Sequence, residues 1–213
     1  MKINLEIINR AYLLAQDTVE TPNLKTIVPN MLMRRRLTKA AKIMMELIVQ
    51  VNFLQGRILC GSGYGELETT ANILHAIKNS KPVSPTDFQN SVYNTAVSYV
   101  SILMQNQHEI LTISSGDKTS LNVLKAGALK ALDGDEILLL CFETLNIPQI
   151  EEVNQCIDFL ESGVALVVKI TDNPASITLK KSNIKGVPPS IQEMLYLAQF
   201  PQDILPLIVE IEI

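Results

Sequence analysis

Apolar residues return at three- and four-residue spacing through Leu37, Ala40, Ala41, Met44, Leu47, Ile48 and Val51, which places them on one face of a helix over residues 38–54. The pattern then shortens. Residues 57–60 predict a small apolar strand that runs into the turn Gly61-Ser62-Gly63-Tyr64-Gly65, and residues 67–79 predict a helix stopped by Asn79-Ser80-Lys81-Pro82. Residues 87–105 suit a helix whose inner face is small and smooth, made of Ser91, Thr95, Ala96 and Ser98 with Val92 and Val100. Residues 110–114 predict a buried strand, and 119–132 a helix of strong formers ended by Asp133-Gly134-Asp135. Residues 137–142 are continuously apolar, as expected of a strand covered on both faces. A helix over 150–160, a strand over 164–170, a helix over 190–198 and an extended stretch over 207–213 follow. Residues 20–33, punctuated by proline and polar residues, read as a loop. Strands alternating with helices predict a single α/β domain over residues 1–213, with a mixed central sheet and helices on both faces.

Composition narrows the function classes. Of the 213 residues 47% are apolar and only 5% aromatic, so a sizeable core must be aliphatic. The net charge of −4 gives no global reason to bind nucleic acid or an anionic membrane. No apolar run is long enough to span a bilayer, and residues 1–9 alternate charged and apolar without the apolar core of a secretory signal. Cys60, Cys141 and Cys156 are scattered, which argues against a disulfide framework or zinc site and fits a reducing cytoplasm. No cofactor is expected.

Four features carry candidate chemistry. The glycine-rich turn 61–65 lacks the spacing of a dinucleotide fingerprint, and Glu66 at the helix start would repel a pyrophosphate, so it reads as a tight structural turn. Arg34, Arg35, Arg36 and Lys39 form a basic run in an acidic chain: a solvated helix face, or a docking patch for an acidic partner such as a carrier protein. The segment Thr112-Ile113-Ser114-Ser115-Gly116-Asp117-Lys118-Thr119-Ser120 is a strand-to-helix junction. Ser115 or Ser120 could sit there as a nucleophile, but a serine needs a base. His108 lies at the far end of the preceding strand, up to about 20 Å away, and His75 is in a helix; the simpler reading has Asp117, Thr119 and Ser120 capping the next helix. Among the carboxylates, Glu136 and Glu143 stand at opposite ends of one strand, too far apart to work as an acid/base pair. Cys141, inside that strand, should be inert.

The order of these features resembles the N-terminal half of the β-ketoacyl synthases, members of the thiolase-like superfamily. Arg35-Arg36-Leu37-Thr38, Gly63-Tyr64-Gly65-Glu66, Ser84 through Asn94, the junction Gly116 through Leu121, and Gly134-Asp135 with its following strand match that family's segments in order, over roughly residues 34–170. Two departures stand out. Tyr93 replaces the family's usual histidine, and Asp117 falls at the position of the catalytic cysteine, leaving a degenerate elbow of Ser115, Gly116 and Asp117. The resemblance also implies a chain without the half that carries the family's catalytic histidines.

What this resemblance implies is a stand-alone, non-catalytic ketosynthase-like subunit, similar to the chain-length factors of clusters making aryl polyenes and related pigments. Such a subunit would pair with an active β-ketoacyl synthase in fatty acid or polyene biosynthesis. The strand before the elbow, with His108, Ile110, Thr112 and Ser114, is the expected dimer interface, with a second copy or with a ketosynthase, and an acyl carrier protein is a further expected partner. Two alternatives remain: a free-standing acyl hydrolase or acyltransferase using Ser115 or Ser120, and a carrier-protein or acyl-binding module.

Overall fold

A computed structural model describes residues 1–150, 157–204 and 206–213. One six-stranded sheet runs through the molecule in the order β3-β2-β4-β5-β1-β6. Its strands are β1 (Lys2–Ala15), β2 (Arg57–Gly61), β3 (Ile110–Ile113), β4 (Ile137–Thr144), β5 (Glu161–Ile170) and β6 (Leu207–Glu212). β2 pairs in parallel with β3 on one side and β4 on the other. From β4 onward every pairing is antiparallel. The mixed sheet expected from the sequence is therefore present.

The helices are α1 (Leu24–Ile27), α2 (Met31–Arg36), α3 (Lys39–Gln50), α4 (Leu67–Lys78), α5 (Pro85–Asn90), α6 (Thr95–Met104), α7 (Thr119–Lys130) and α8 (Gln192–Ala198). They cover both faces of the sheet. β4 is buried at every residue and feeds both layers: Ile137, Leu139 and Cys141 point into a core with Val123, Leu124 and Ala128 of α7 and Met194 and Leu195 of α8. Leu138, Leu140 and Phe142 point into the opposite core with Ala40, Met44 and Leu47 of α3 and Ala96, Val97 and Val100 of α6. This is the period-two alternation of a strand inside a continuous apolar run. α7 lies so close to β4 that a Cβ at Gly127 would come within 2.7 Å of Leu139 Cδ2.

Three expectations about elements need correction, the first being the loop over 20–33, which holds α1 and the start of α2. The helix expected over 87–105 is two helices, α5 and α6, broken at 91–94. Ser84 caps the first, its hydroxyl accepting from Asp87 N, and Pro85 occupies its first turn. The inner face of α6 is consequently Thr95, Ala96, Val97 and Val100, whereas Val92 is exposed and Ser91 and Ser98 are half-buried.

The longest strand, β1, has no counterpart among the predicted elements. Its pairing with β5 slips between Ile7 and Asn9. Before the slip Ile3, Leu5 and Ile7 enter the α7/α8 core; after it Leu14 does, and Ala11, Leu13 and Ala15 face the α3/α6 core. A bulge that exchanges the faces erases a single alternating pattern along the strand. Finally, most of the helix expected over 150–160, Cys156 included, lies outside the described residues. No helix among the described residues is long and apolar enough to cross a membrane.

Candidate functional site

The parallel strands β2, β3 and β4 finish at the same edge of the sheet, with Gly61 opposite Ile113 and Cys141. In open α/β sheets that carboxyl edge is where ligands gather. Here it carries the glycine-rich turn, the elbow and Glu143.

Glu143, fully buried, organises the edge. Its carboxylate accepts from the backbone amides of Gly63 (2.6 Å) and Tyr64 (3.2 Å), from the Ser62 hydroxyl (2.9 Å) and from the Ser190 hydroxyl. Ser62 Oγ in turn accepts from Gly65 N at 2.7 Å. The turn's amides thus hold the chain's own carboxylate, which agrees with a structural turn and leaves no free anion cradle. Burial pushes the Glu143 carboxyl up to about 7, against the downward pull of its hydrogen bonds. A Cβ at Gly63 would lie 3.0 Å from Ser190 Cβ, 3.2 Å from the Gly116 carbonyl oxygen and 3.3 Å from Glu143 Oε1. Turn, elbow and the residues leading into α8 meet there, and a side chain at 63 would crowd all three.

The elbow itself is a short 3₁₀ turn, Gly116–Lys118, entered through Gly116 at φ +54°. Thr119 braces it: Oγ1 accepts from Ser115 N (3.0 Å) and donates to the Gly116 carbonyl (2.7 Å). The capping expected of Asp117 and Ser120 is not found; α7 begins without a side-chain cap bond. Asp117 is exposed. Ser120 is buried and reaches sideways, donating to Glu193 Oε2 (2.5 Å) and accepting from Glu193 N (3.3 Å), so it ties α7 to α8. Neither His75 nor His108 hydrogen-bonds Ser115 or Ser120 among the described residues; both are exposed, on α4 and on the approach to β3. Cys60 and Cys141 lie under the turn, fully buried, and burial pushes both thiols up, strongly so. Among the described residues, neither thiol is available as a thiolate at this edge.

β3 is an outer strand of the sheet, bonded only to β2. Ile58 N donates to the Glu109 carbonyl and Ser62 N to the Ile113 carbonyl. In a parallel ladder that phase gives residues 109, 111 and 113 to β2 and leaves the amides of Ile110 and Thr112 pointing away from it. Ile110 and Thr112, two of the four expected interface residues, are therefore the ones with outward backbone; Ser114 follows the strand and is exposed, as is His108 before it. Beside this edge stands Ile102 of α6, 65% exposed, with Val92 (52%) sharing a hollow with it.

The basic run is divided. Arg34 Nη1 is held by the carbonyls of Val28 and Pro29, both at 2.6 Å. Lys39 lies between Glu68 (3.4 Å) and Glu161 (3.6 Å). Only Arg35 and Arg36 remain open to solvent without a partner among the described residues. Nothing in the sequence singles out Ser190 and Glu193 as site residues; Glu66 is weighed there only against a pyrophosphate, and Glu143 only against Glu136. A charged residue closing a continuous apolar strand is the one signal that could have singled Glu143 out; its partners come from distant segments.

The sheet and its two helical layers define a thiolase-like fold of the ketosynthase type, with Ser115, Gly116 and Asp117 at its carboxyl-edge elbow. The chain belongs to the family described as beta-ketoacyl synthase, N-terminal domain, whose model matches residues 9–194. No curated protein matches. Among solved structures, the chain is similar to one described as a ketosynthase (ApeO) in complex with its chain length factor (ApeC) from Xenorhabdus doucetiae. The TM-score is 0.69 at 19% identity, and 93% of each chain is covered. The ishigamide ketosynthase/chain length factor gives 0.59 at 11% identity, covering 81% of this chain and 63% of that one. A type II ketosynthase complex with its acyl-carrier protein and a bound hexaketide, AntDE:AntF, gives 0.59 at 11%, covering 80% and 63%. This chain thus spans less than two thirds of the last two. At such identities these likenesses establish the fold.

Proposed function

We propose that this chain, a single domain over residues 1–213, is a non-catalytic ketosynthase-like subunit that pairs with an active β-ketoacyl synthase, as a chain-length factor does, in fatty acid or polyene-type biosynthesis. The observation that carries this reading is the elbow. The turn is braced by Thr119, the resemblance puts Asp117 at the position of the family's cysteine, and the nearby thiols of Cys60 and Cys141 are sealed in the core. A carboxylate at that position does not hold an acyl chain as a thioester. The partner would supply the thiol and the imidazoles.

Pairing through β3 is supported by its free edge and by the exposed apolar residues beside it, since such surfaces associate in water. The similar structures include ketosynthase–chain length factor and ketosynthase–carrier complexes, in line with a ketosynthase partner and an acyl carrier protein as a further one. Aryl polyene assembly is the system the sequence resemblance favours. Co-expression with the ketosynthases of the same genome tests the proposal: one of them should co-purify with this chain in a fixed ratio. If none does, and the chain alone turns over acyl thioesters in a manner abolished by Ser115→Ala, the hydrolase reading replaces it.

A further inference from the structure

Of the five arginines in the chain, three are used internally. Arg10 donates to the carbonyls of Phe200, Pro201 and Ile204, Arg34 to those of Val28 and Pro29, and Arg57 pairs with Asp133 and Asp135. Arg35 and Arg36 make no hydrogen bond or ion pair with any described residue. Both line a cavity of about 630 Å³ between the α2–α3 corner and the helices α4 and α5. Glu66, Glu68 and Asp87 line the same cavity, as do the neutral polar side chains of Thr69, Asn72 and Asn90.

Glu66 is the unusual member. It is 5% exposed, and its Oε1 accepts from Thr38 Oγ1 at 2.7 Å while the other oxygen accepts no hydrogen bond from a described residue. Burial, reinforced by the Glu68 charge, pushes this carboxyl up to about 7. Lys39 is shared between Glu68 (3.4 Å) and Glu161 (3.6 Å), which removes that cation from the cavity's free charge. A polar cavity therefore has two unengaged guanidiniums and a buried acceptor among its lining groups. Paired guanidinium forks match a phosphate's oxygens better than a point charge does.

We propose that this cavity binds a small polyhydroxylated phosphomonoester, with the phosphate on Arg35 and Arg36 and a ligand hydroxyl donating to Glu66. The site is separate from the β3 edge and does not depend on subunit pairing. Isothermal titration with glucose 6-phosphate as probe, beside glucose and inorganic phosphate, tests it on the full chain. Glucose 6-phosphate should bind saturably and at least about tenfold more tightly than either control. Arg35→Gln with Arg36→Gln, both exposed and so neutral to folding, should weaken it about tenfold or more. Glu66→Gln should weaken glucose 6-phosphate several-fold and leave phosphate unchanged, and Thr112→Pro should leave binding intact. Equal affinity for glucose 6-phosphate and phosphate, no saturable binding, or indifference to the arginine changes would each overturn the proposal. So would binding of a carrier protein's phosphopantetheine arm without binding of the free phosphomonoester.

Discussion

Glu143 shows how much one residue can decide. Its carboxylate gathers two backbone amides and two hydroxyls from the segments after β2 and before α8. Glu143→Ala would leave Gly63 N and the Ser62 and Ser190 hydroxyls without this acceptor, while Tyr64 N keeps Ser62 Oγ at 3.3 Å, at roughly 1–3 kcal/mol for each donor that stays dry. A loss of about 3 kcal/mol or more is expected in urea unfolding. Glu66 gives a prediction in pH. Both carboxyls titrate near 7 when folded and near 4.5 when unfolded, so between those values the folded chain holds protons that the unfolded chain has released. Their contribution makes stability greatest below about 4.5, falling as pH rises to about 7 and level above. Glu66→Gln keeps the acceptor for Thr38 and removes one of the two titrations, so urea midpoints measured from pH 4.5 to 8 should slope less than in the parent chain. At this scale the sequence was least legible. Glu143, Ser62 and Ser190 are far apart along the chain, and no spacing rule links them.

Among the elements, helices and strands with a regular pattern were readable and irregular ones were not. α3, α7 and β4 carry unbroken apolar periodicity, and each lies where the pattern predicts. β1 escaped because its bulge exchanges the inward faces, and 87–105 was read as one helix because nothing in its composition outweighs the local stop at 91–94. The fit of α7 against β4 depends on Gly127. Gly127→Val would drive a side chain into Leu139 and should cost about 1–3 kcal/mol, read as a lowered thermal midpoint. β3 yields a test of a different kind. The amide of Thr112 points away from β2, so Thr112→Pro removes an edge donor without breaking the internal ladder. Co-purification with a ketosynthase should be lost while the circular dichroism spectrum and melting temperature change little.

For the molecule as a whole, the proposed function makes the sheet, the elbow and the paired cores a scaffold that leaves the reaction to a partner. Asp117→Cys should therefore introduce a thiol that alkylates readily and still yields no decarboxylative condensation by the chain alone, because neither His75 nor His108 stands at the elbow. Thiol labelling combined with a carbon dioxide release assay separates the two outcomes. The sequence by itself determined the α/β class, the mixed sheet, the family and the loss of cysteine at the elbow, because periodicity, turn residues and residue identity are local properties. Tertiary structure alone decided that the glycine turn is filled by Glu143, that Ser120 belongs to Glu193, and that Arg34 and Lys39 leave the basic run while Arg35 and Arg36 stay free. Each of these outcomes depends on which donors and acceptors from distant segments meet in a buried space, and only the packed sheet brings them together.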